Sequence, residues 1–244
     1  FSCQPITIFT DSHLLVSESE VLQMDISSLE EDDFGYVWMG TSGHGVVRFD
    51  GENYITIIKS ADNSGVSSQF VNALFSDKEG SIWVGSTNGV DRVDTKTLKV
   101  SHYKINDKIE EVLTIFSDKE KNILATTRNG VFIFDNEAKL FRKIIYFSQE
   151  ANYLKVYDTK DFGMVIVSDY EVSRYNSQYT KVGSYELDFP VKFSAYDAGN
   201  RLFLARPMYE LYCMDLSNGE FVNLPKELGV IDCGKAFYAK SFDD

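Results

Sequence analysis

The chain has 244 residues, of which 43% are hydrophobic and 14% aromatic, and its formal net charge is −13. This composition suits a large β core, whereas the acidity disfavours a surface that binds the phosphates of nucleic acid, because such a surface needs clustered Lys and Arg. No apolar run is as long as a transmembrane helix, and the negative charge is interpreted as a solubility feature.

The first predicted element is a β-strand in the N-terminal segment, FSCQPITIF. Ile6–Phe9 matches the position of the outer strand in the repeats described below, where Tyr54–Ile57 is the corresponding run. Residues 5–10 are therefore predicted to be an outer strand that completes the last of these repeats.

A sequence pattern recurs along the rest of the chain. Residues 32–50 read DDFGYVWMGTSGHGVVRFD and residues 77–94 read DKEGSIWVGSTNGVDRVD. Both fit D-x-x-G-x-[VI]-W-[MV]-G-[TS] followed by V-x-R-[FV]-D, and weaker copies begin at Asp118, Asp158 and Asp197. Self-similarity at a period of about 40 residues indicates a repeat architecture.

Each repeat contains four short predicted strands. In the second repeat these are Val71–Asp77, Ser81–Ser86, Val90–Asp94 and Leu98–Lys104, and one of the turns between them carries the Asn-Gly hairpin signal. Four antiparallel strands in about 40 residues are typical of a β-propeller blade. Because no stretch has sustained helical periodicity, the fold class is predicted to be all-β.

The repeats predict five complete four-stranded antiparallel blades and the start of a sixth, as in a fragment of a seven-bladed β-propeller. The predicted blade units are residues 21–60, 66–106, 110–147, 151–187 and 191–224, with the start of the next blade at 236–244. The pattern stops inside a strand, so the natural protein is expected to continue.

The residues that the repeats share are predicted to serve the fold. The Asp is expected to bond its own turn backbone and the Gly after it to adopt positive φ. The large residue of the second strand is expected to fill the space between blades. In the five repeats this residue is Trp38, Trp83, Leu124, Val165 and Phe203. A nearby Gly would let a neighbouring backbone approach. Eight positions receive this structural role: Asp32, Gly35, Trp38, Gly40, Asp77, Gly80, Trp83 and Gly85.

No catalytic grouping, metal site or cofactor site is predicted. The three histidines share no metal-ligand spacing, and no nucleophile-elbow, zinc-protease or phosphate-loop motif occurs. The acidic run at residues 30–33 suggests acid–base chemistry, but its place at the end of a strand favours solvated turn acids. Cys213 is expected to be a buried free thiol, and a disulfide to Cys233 stays open as the alternative.

Ligand contacts are instead predicted in the turns between the second and third strands. These turns emerge on the same face as the loops before each first strand, at one mouth of the central channel. They differ between repeats, and their aromatic faces and hydrogen-bond donors suit sugars, acidic sugars in particular. The predicted ligand-binding residues are His44, Asn88, Arg128, Asn129, Tyr170, Arg206 and Tyr209. The loop Ser60–Gln69 is expected to be a lid or a partner contact.

Through the motifs at residues 32–50 and 77–94, the chain resembles the regulator-propeller repeats of bacterial two-component sensors. In that family such repeats form the N-terminal periplasmic sensor of hybrid histidine kinases, common in gut Bacteroidetes, which recognises oligosaccharides released from complex glycans. The resemblance implies a periplasmic segment that is not itself an enzyme, within a histidine kinase that regulates glycan-utilisation genes. It implies three partners, namely an oligosaccharide, the rest of the propeller and sensor ectodomain, and a second copy in a homodimer, and no nucleic acid bound through this segment.

Two other classes of function stay open. A propeller lyase or glycosidase would use carboxylates at the channel mouth, and an interaction scaffold would bind partners through outer surfaces or open blade edges. A sialidase-type turn, S-x-D-x-G-x-T-W, fits residues 76–83 less well, because Gly80 follows Asp77 by three residues rather than two.

Overall fold

The structure is a computed structural model that describes residues 12–223 except 107, 148, 198–199 and 207–209. The predicted outer strand at 5–10 and the predicted start of a further blade at 236–244 lie outside the described residues, as does Cys233. The chain divides into two compact parts, here called the N-terminal half (Phe1–Tyr146) and the C-terminal half (Phe147–Asp244).

The described part of the N-terminal half forms three antiparallel sheets. The first consists of β1 (His13–Val16), β2 (Ile26–Glu31), β3 (Val37–Thr41), β4 (Val46–Phe49) and β5 (Tyr54–Ile57), with the helix α1 (Glu18–Val21) after β1. The second consists of β6 (Val71–Ser76), β7 (Ser81–Ser86), β8 (Gly89–Asp94) and β9 (Val100–Tyr103). The third consists of β10 (Thr114–Ser117), β11 (Ile123–Thr127), β12 (Gly130–Asp135) and β13 (Leu140–Tyr146).

The described part of the C-terminal half forms two more sheets of the same kind. The fourth consists of β14 (Leu154–Thr159), β15 (Gly163–Ser168), β16 (Glu171–Tyr175) and β17 (Lys181–Glu186). The fifth consists of β18 (Phe193–Tyr196), β19 (Arg201–Ala205), β20 (Leu211–Asp215) and β21 (Phe221–Asn223). The prediction of an all-β chain built from five antiparallel propeller blades is confirmed, and the predicted limits of the blade units stay a prediction.

The first blade carries a fifth strand that the sequence pattern did not predict. Strand β1 lies antiparallel to β5, with His13 opposite Ile57 and Val16 opposite Tyr54. Helix α1 follows at once, and Ser17 caps it together with Glu20: the Ser17 hydroxyl accepts from the Glu20 N–H, and the Glu20 carboxylate accepts from the Ser17 N–H. The strand was missed because it is four residues long and lies outside the repeat.

The motif Asp organises the turn between the first two strands of a blade. The Oδ1 atom of Asp32 accepts from the N–H groups of Phe34 and Tyr36 at 2.8 and 3.0 Å, and its Oδ2 accepts from the Trp38 indole at 2.9 Å. Gly35 completes the turn with a φ of 79°. One carboxylate therefore holds the turn and satisfies the only polar atom of a fully buried indole.

The second repeat builds the same turn. The Oδ1 atom of Asp77 accepts from the N–H groups of Glu79 and Ser81 at 2.9 and 3.0 Å, and its Oδ2 accepts from the Trp83 indole at 3.2 Å. Gly80 has a φ of 94°. The agreement between two turns 45 residues apart explains why the motif recurs so closely in the sequence.

The motif tryptophans pack between blades. Trp38 belongs to one buried cluster with Val71 and Leu74 of the second blade. The ring of Trp83 meets Phe134 of the third blade edge-on, with ring centroids 4.9 Å apart. In the weaker repeats Leu124 and Val165 are fully buried, whereas Phe203 is half-buried.

The glycines near the tryptophans allow close packing of side chains rather than of backbone. A Cβ atom on Gly40 would lie 2.7 Å from Val71 Cγ1, and one on Gly85 would lie 2.7 Å from Val112 Cγ1. The expectation that a neighbouring backbone approaches is wrong in this detail. Blades stack face to face, so the next blade presents its side chains to these positions.

Candidate functional site

The turns between second and third strands lie together with the loops that enter the first strands. In the N-terminal half the N–H groups of Gly43 and Gly45 both donate to the Gln69 carbonyl, at 2.9 and 3.0 Å, and the Thr87 N–H donates to the Phe70 carbonyl at 3.2 Å. We call the loop at residues 58–70 the entry loop. We call the surface formed by this loop and the turns 41–45, 86–89 and 127–130 the turn face.

Two of the predicted ligand residues on the turn face flank the entry loop. His44 is exposed, and its side chain has no hydrogen bond to the described residues, although its N–H donates to the Thr41 hydroxyl at 3.0 Å. Asn88 is half-buried, and its side-chain amide donates to the Ser67 carbonyl at 2.9 Å. His44 is thus free to contact a ligand, whereas Asn88 holds the loop.

The other two predicted residues of this half are also engaged in structure. Arg128 forms an ion pair with Glu111, with an Nε–Oε2 distance of 3.4 Å and both side chains more than a third exposed. The Asn129 N–H donates to the Thr127 hydroxyl at 3.1 Å. Glu111 also lies 3.4 Å from the amide of Asn72, which belongs to strand β6. Arg128, Glu111 and Asn72 therefore form a small polar network at the edge of the turn face.

The C-terminal half places its predicted residues in two turns of the same kind, Tyr170 between β15 and β16 and Arg206 between β19 and β20. The Tyr170 side chain is 57% exposed, and its carbonyl accepts from the Leu187 N–H at 2.8 Å. Arg206 pairs with Glu210 at 3.1 Å and donates to the Tyr212 hydroxyl at 3.3 Å. Tyr209 lies outside the described residues. Tyr170 is therefore an exposed aromatic group in the turn of the fourth blade, and Arg206 is held by Glu210 in the turn of the fifth blade.

Phe70 is a candidate contact that the sequence reasoning missed. Its side chain is 56% exposed, although Phe is usually buried. It lies directly between two turns, because its backbone bridges Ser42 on one side and accepts from the Thr87 N–H on the other. An aromatic residue at the end of the polar run SADNSGVSSQ was the available signal, but the repeat alignment assigned this position to no strand.

The buried carboxylate of Asp91 holds the entry loop in place. The Oδ2 atom of Asp91 accepts from the N–H and the hydroxyl of Ser67, at 2.7 and 2.9 Å. Its Oδ1 lies 2.7 Å from Nδ1 of His102, and His102 Nε2 lies 3.0 Å from the Asn63 carbonyl. The hydrogen bond to Asp91 raises the pKa of His102.

These groups do not form a nucleophile and its base. The Ser67 hydroxyl donates to Asp91 rather than to the imidazole, so His102 cannot remove its proton. Farther along the loop, hydrogen bonds from the hydroxyls of Ser60 and Ser64 lower the pKa of Asp62 to about 2. The predicted lid is thus a loop fixed by its own polar contacts.

Other chemistry is limited in the part of the chain that the structure describes. Within it, no group of three or more His, Cys, Asp or Glu is placed to hold a metal ion, and no helix is long and apolar enough to cross a membrane. Cys213 is half-buried rather than buried as expected, and burial raises the pKa of its thiol. A recess of about 440 Å³ lies at the opposite end of the first blade from the turn face, between the start of α1 and the turn 50–53.

The comparisons with known proteins concern one repeat and the fold. The sequence profile of the two component regulator propeller family matches residues 65–88, which run from the entry loop into the turn that carries Asn88. No curated protein is similar enough in sequence to count as a relative.

Several solved structures share the fold. The extracellular domain of BT4673 from B. thetaiotaomicron, a candidate one component system, superposes with a TM-score of 0.66 at 17% identity, covering 82% of this chain and 30% of that chain. The extracellular domain of BT3049 from the same organism, a candidate hybrid two component system, superposes with a TM-score of 0.53 at 16% identity. The match covers 82% of this chain and 35% of that chain. Virginiamycin B lyase from Staphylococcus aureus superposes with a TM-score of 0.66 at 12% identity. The match covers 87% of this chain and 72% of that chain. At these identities the likeness is one of fold, and the chain spans about a third of the two extracellular domains.

Proposed function

We propose that this chain, which carries a two component regulator propeller repeat at residues 65–88, is part of the ligand-sensing propeller of a hybrid two-component sensor histidine kinase/response regulator. The propeller is not itself an enzyme. It lies in the periplasm, recognises an oligosaccharide and signals across the membrane to regulate glycan-utilisation genes. The proposal is supported by the family of the repeat and by two similar folds that are extracellular domains of candidate signalling systems.

The observation that carries the ligand class is the exposed aromatic group between two turns of the turn face. Phe70 is 56% exposed and lies between the turns that carry His44 and Asn88. A flat aromatic ring stacks on the apolar face of a sugar ring, and neighbouring polar groups then bond its hydroxyls. His44 and the network of Arg128 and Glu111 supply such groups in the same half.

The backbone around Phe70 is already held in place. The Gln69 carbonyl accepts two N–H groups from the first turn, and the Ser67 carbonyl accepts the Asn88 amide from the second. A ligand that binds here has little loop to order, so less of its interaction energy is lost to conformational entropy. Signalling would need a further step, in which the ligand binds two arrangements of the ectodomain or of its homodimer with different affinity.

Calorimetric titration of the full chain with a panel of neutral and uronate-containing oligosaccharides tests this proposal. We expect at least one to bind, and we expect Phe70→Ala to weaken that binding by about tenfold, which corresponds to about 1.4 kcal/mol. Phe34→Ala is the matched control, because Phe34 is a 49% exposed aromatic residue in a turn at the opposite end of the first blade.

Two results would contradict the proposal. One is the absence of binding by every oligosaccharide in the panel to a chain that is folded by circular dichroism. The other is the appearance of shortened products in the titrated mixture, detected by chromatography, since turnover would identify the chain as a carbohydrate-active enzyme.

A further inference from the structure

His102 connects the outer strand of the second blade to the entry loop. Its Nδ1 lies 2.7 Å from Asp91 Oδ1 and its Nε2 lies 3.0 Å from the carbonyl of Asn63. Asn63 is at the tip of the loop and has a φ of 59°, a left-handed conformation that few residues adopt. The imidazole thus bonds the loop tip at a residue in the left-handed conformation, which Asn adopts more readily than most residues.

Both partners of this imidazole can only accept hydrogen bonds. A carboxylate and a carbonyl each need an N–H from the ring, and a ring with two N–H groups is the charged imidazolium. His13 offers a contrast within the same chain. Its ring lies between the Ser12 hydroxyl, which can donate, and the Leu98 carbonyl, so a neutral ring satisfies that pair of partners.

Loss of a proton from His102 would break its contact with the loop residue Asn63 and keep its contact with Asp91 of strand β8. Asp91 is fully buried, so it retains the N–H on Nδ1 as its partner. Nε2 would then carry a lone pair that faces the oxygen lone pairs of Asn63 at 3.0 Å. Two acceptors at this distance repel each other, so the exposed contact between His102 Nε2 and the Asn63 carbonyl is the one that breaks.

The charged surroundings of His102 are simple. Among the described residues, the charged group that bonds the ring on the strand side is Asp91 of β8, the strand next to β9. On the loop side the nearest acid in sequence is Asp62, whose carboxylate bonds the hydroxyls of Ser60 and Ser64. The His102 side chain is 36% exposed, so protons reach it from solvent.

We propose that His102 is a proton-operated latch, which holds the tip of the entry loop when it is charged and releases the loop when it is neutral. The pKa of His102 is raised by its hydrogen bond to Asp91. A raised pKa in the closed state means that the stabilisation is complete below the ordinary pKa of imidazole and is lost as pH rises through the raised value. The tip of the loop is therefore held in mildly acidic medium and is released as pH rises through the raised pKa.

The latch extends beyond the proposed function because it needs no ligand. Its consequence for binding does rest on that function: release of the tip at Asn63 would move the outer part of the loop, while Asn88, Gly43 and Gly45 still hold the Ser67 and Gln69 carbonyls beside Phe70. The test is accordingly made without ligand, so that failure of the latch and failure of oligosaccharide binding are separate results.

The experiment is an NMR titration of the full chain from about pH 5 to about pH 9. We expect the ring protons of His102 to titrate above the ordinary pKa of imidazole, and the amides of Asn63 and Ser64 to shift with the same midpoint. We expect their order parameters to fall from about 0.85 to below about 0.6 across that midpoint. Amide resonances of residues outside the entry loop are recorded in the same spectra as internal references.

Two variants separate a latch from a merely structural contact. His102→Gln removes the titrating group, so the loop amides should lose the transition. Asp91→Asn should lower the His102 midpoint, while Glu120→Gln, an exposed change of equal charge far from the ring, should leave it in place. Loop amides that shift with no relation to His102, or a transition that persists in His102→Gln, would overturn the proposal.

Discussion

The two ends of a blade in the N-terminal half are built on opposite plans. At the motif end, the Asp32 and Asp77 turns make the same hydrogen bonds, and each satisfies a buried indole. At the turn face, the corresponding turns bond the entry loop through different atoms, and Phe70 and His44 stay exposed. The repeats agree at the motif end, where side chains hold the fold, and they differ at the turn face, where Phe70 and His44 are exposed.

The largest effect that separates the two ends is expected from Trp38→Ala. Trp38 is fully buried between the first and second blades, so its removal leaves a cavity and should lower the free energy of unfolding by about 3–5 kcal/mol. Urea denaturation measures this, with Phe34→Ala as the control because that exposed aromatic should cost less than about 1 kcal/mol. Equal losses would remove the distinction between packing and surface aromatics.

A second effect concerns the turn carboxylate. Asp32→Ala leaves two N–H groups and a buried indole without their acceptor, so we expect a loss of about 2–3 kcal/mol. Asp50→Ala is the matched control: Asp50 accepts the N–H groups of Glu52 and Asn53 in another turn but no indole, and should cost about 1 kcal/mol. The difference between the two denaturation midpoints isolates the contribution of the indole, and identical midpoints would contradict it.

A third effect tests the close approach of blades. Gly85→Ala places a Cβ 2.7 Å from Val112 Cγ1 and 3.2 Å from the Ile115 side chain, so these side chains at the third blade must shift. Overpacking of this kind should cost about 1–3 kcal/mol in thermal or urea unfolding. A neutral result would mean that the blades in this half are not held as tightly as their contacts imply.

The smallest effect on stability, and the most informative about function, is expected at the turn face. Phe70→Ala and His44→Ala remove exposed side chains and should change the free energy of unfolding by less than about 0.5 kcal/mol. The same variants should weaken oligosaccharide binding in calorimetry. If Phe70→Ala instead destabilised the chain strongly, Phe70 would belong to the packing of the blade and not to a ligand surface.

The turn face also marks the limit of reasoning from sequence. The strand pattern placed the variable turns at one end of the blades, because it decides which end of a blade each turn occupies. The role of each residue did not follow: Asn88 holds the entry loop and Arg128 pairs with Glu111, while Phe70 went unnoticed. A polar residue in a turn has the same sequence signal whether its partner is a ligand or a neighbouring loop.

The sequence by itself determined the blade, because a blade depends on local rules: alternating apolar residues, a turn Asp, a glycine with positive φ and one large side chain per repeat. Only the tertiary structure decided which surface groups are free and which are held. It placed β1 beside β5, and it brought His102 to the carbonyl of Asn63, 39 residues earlier in the chain. Such contacts join segments that share no local pattern, since they depend on how the blades stack rather than on how each one folds.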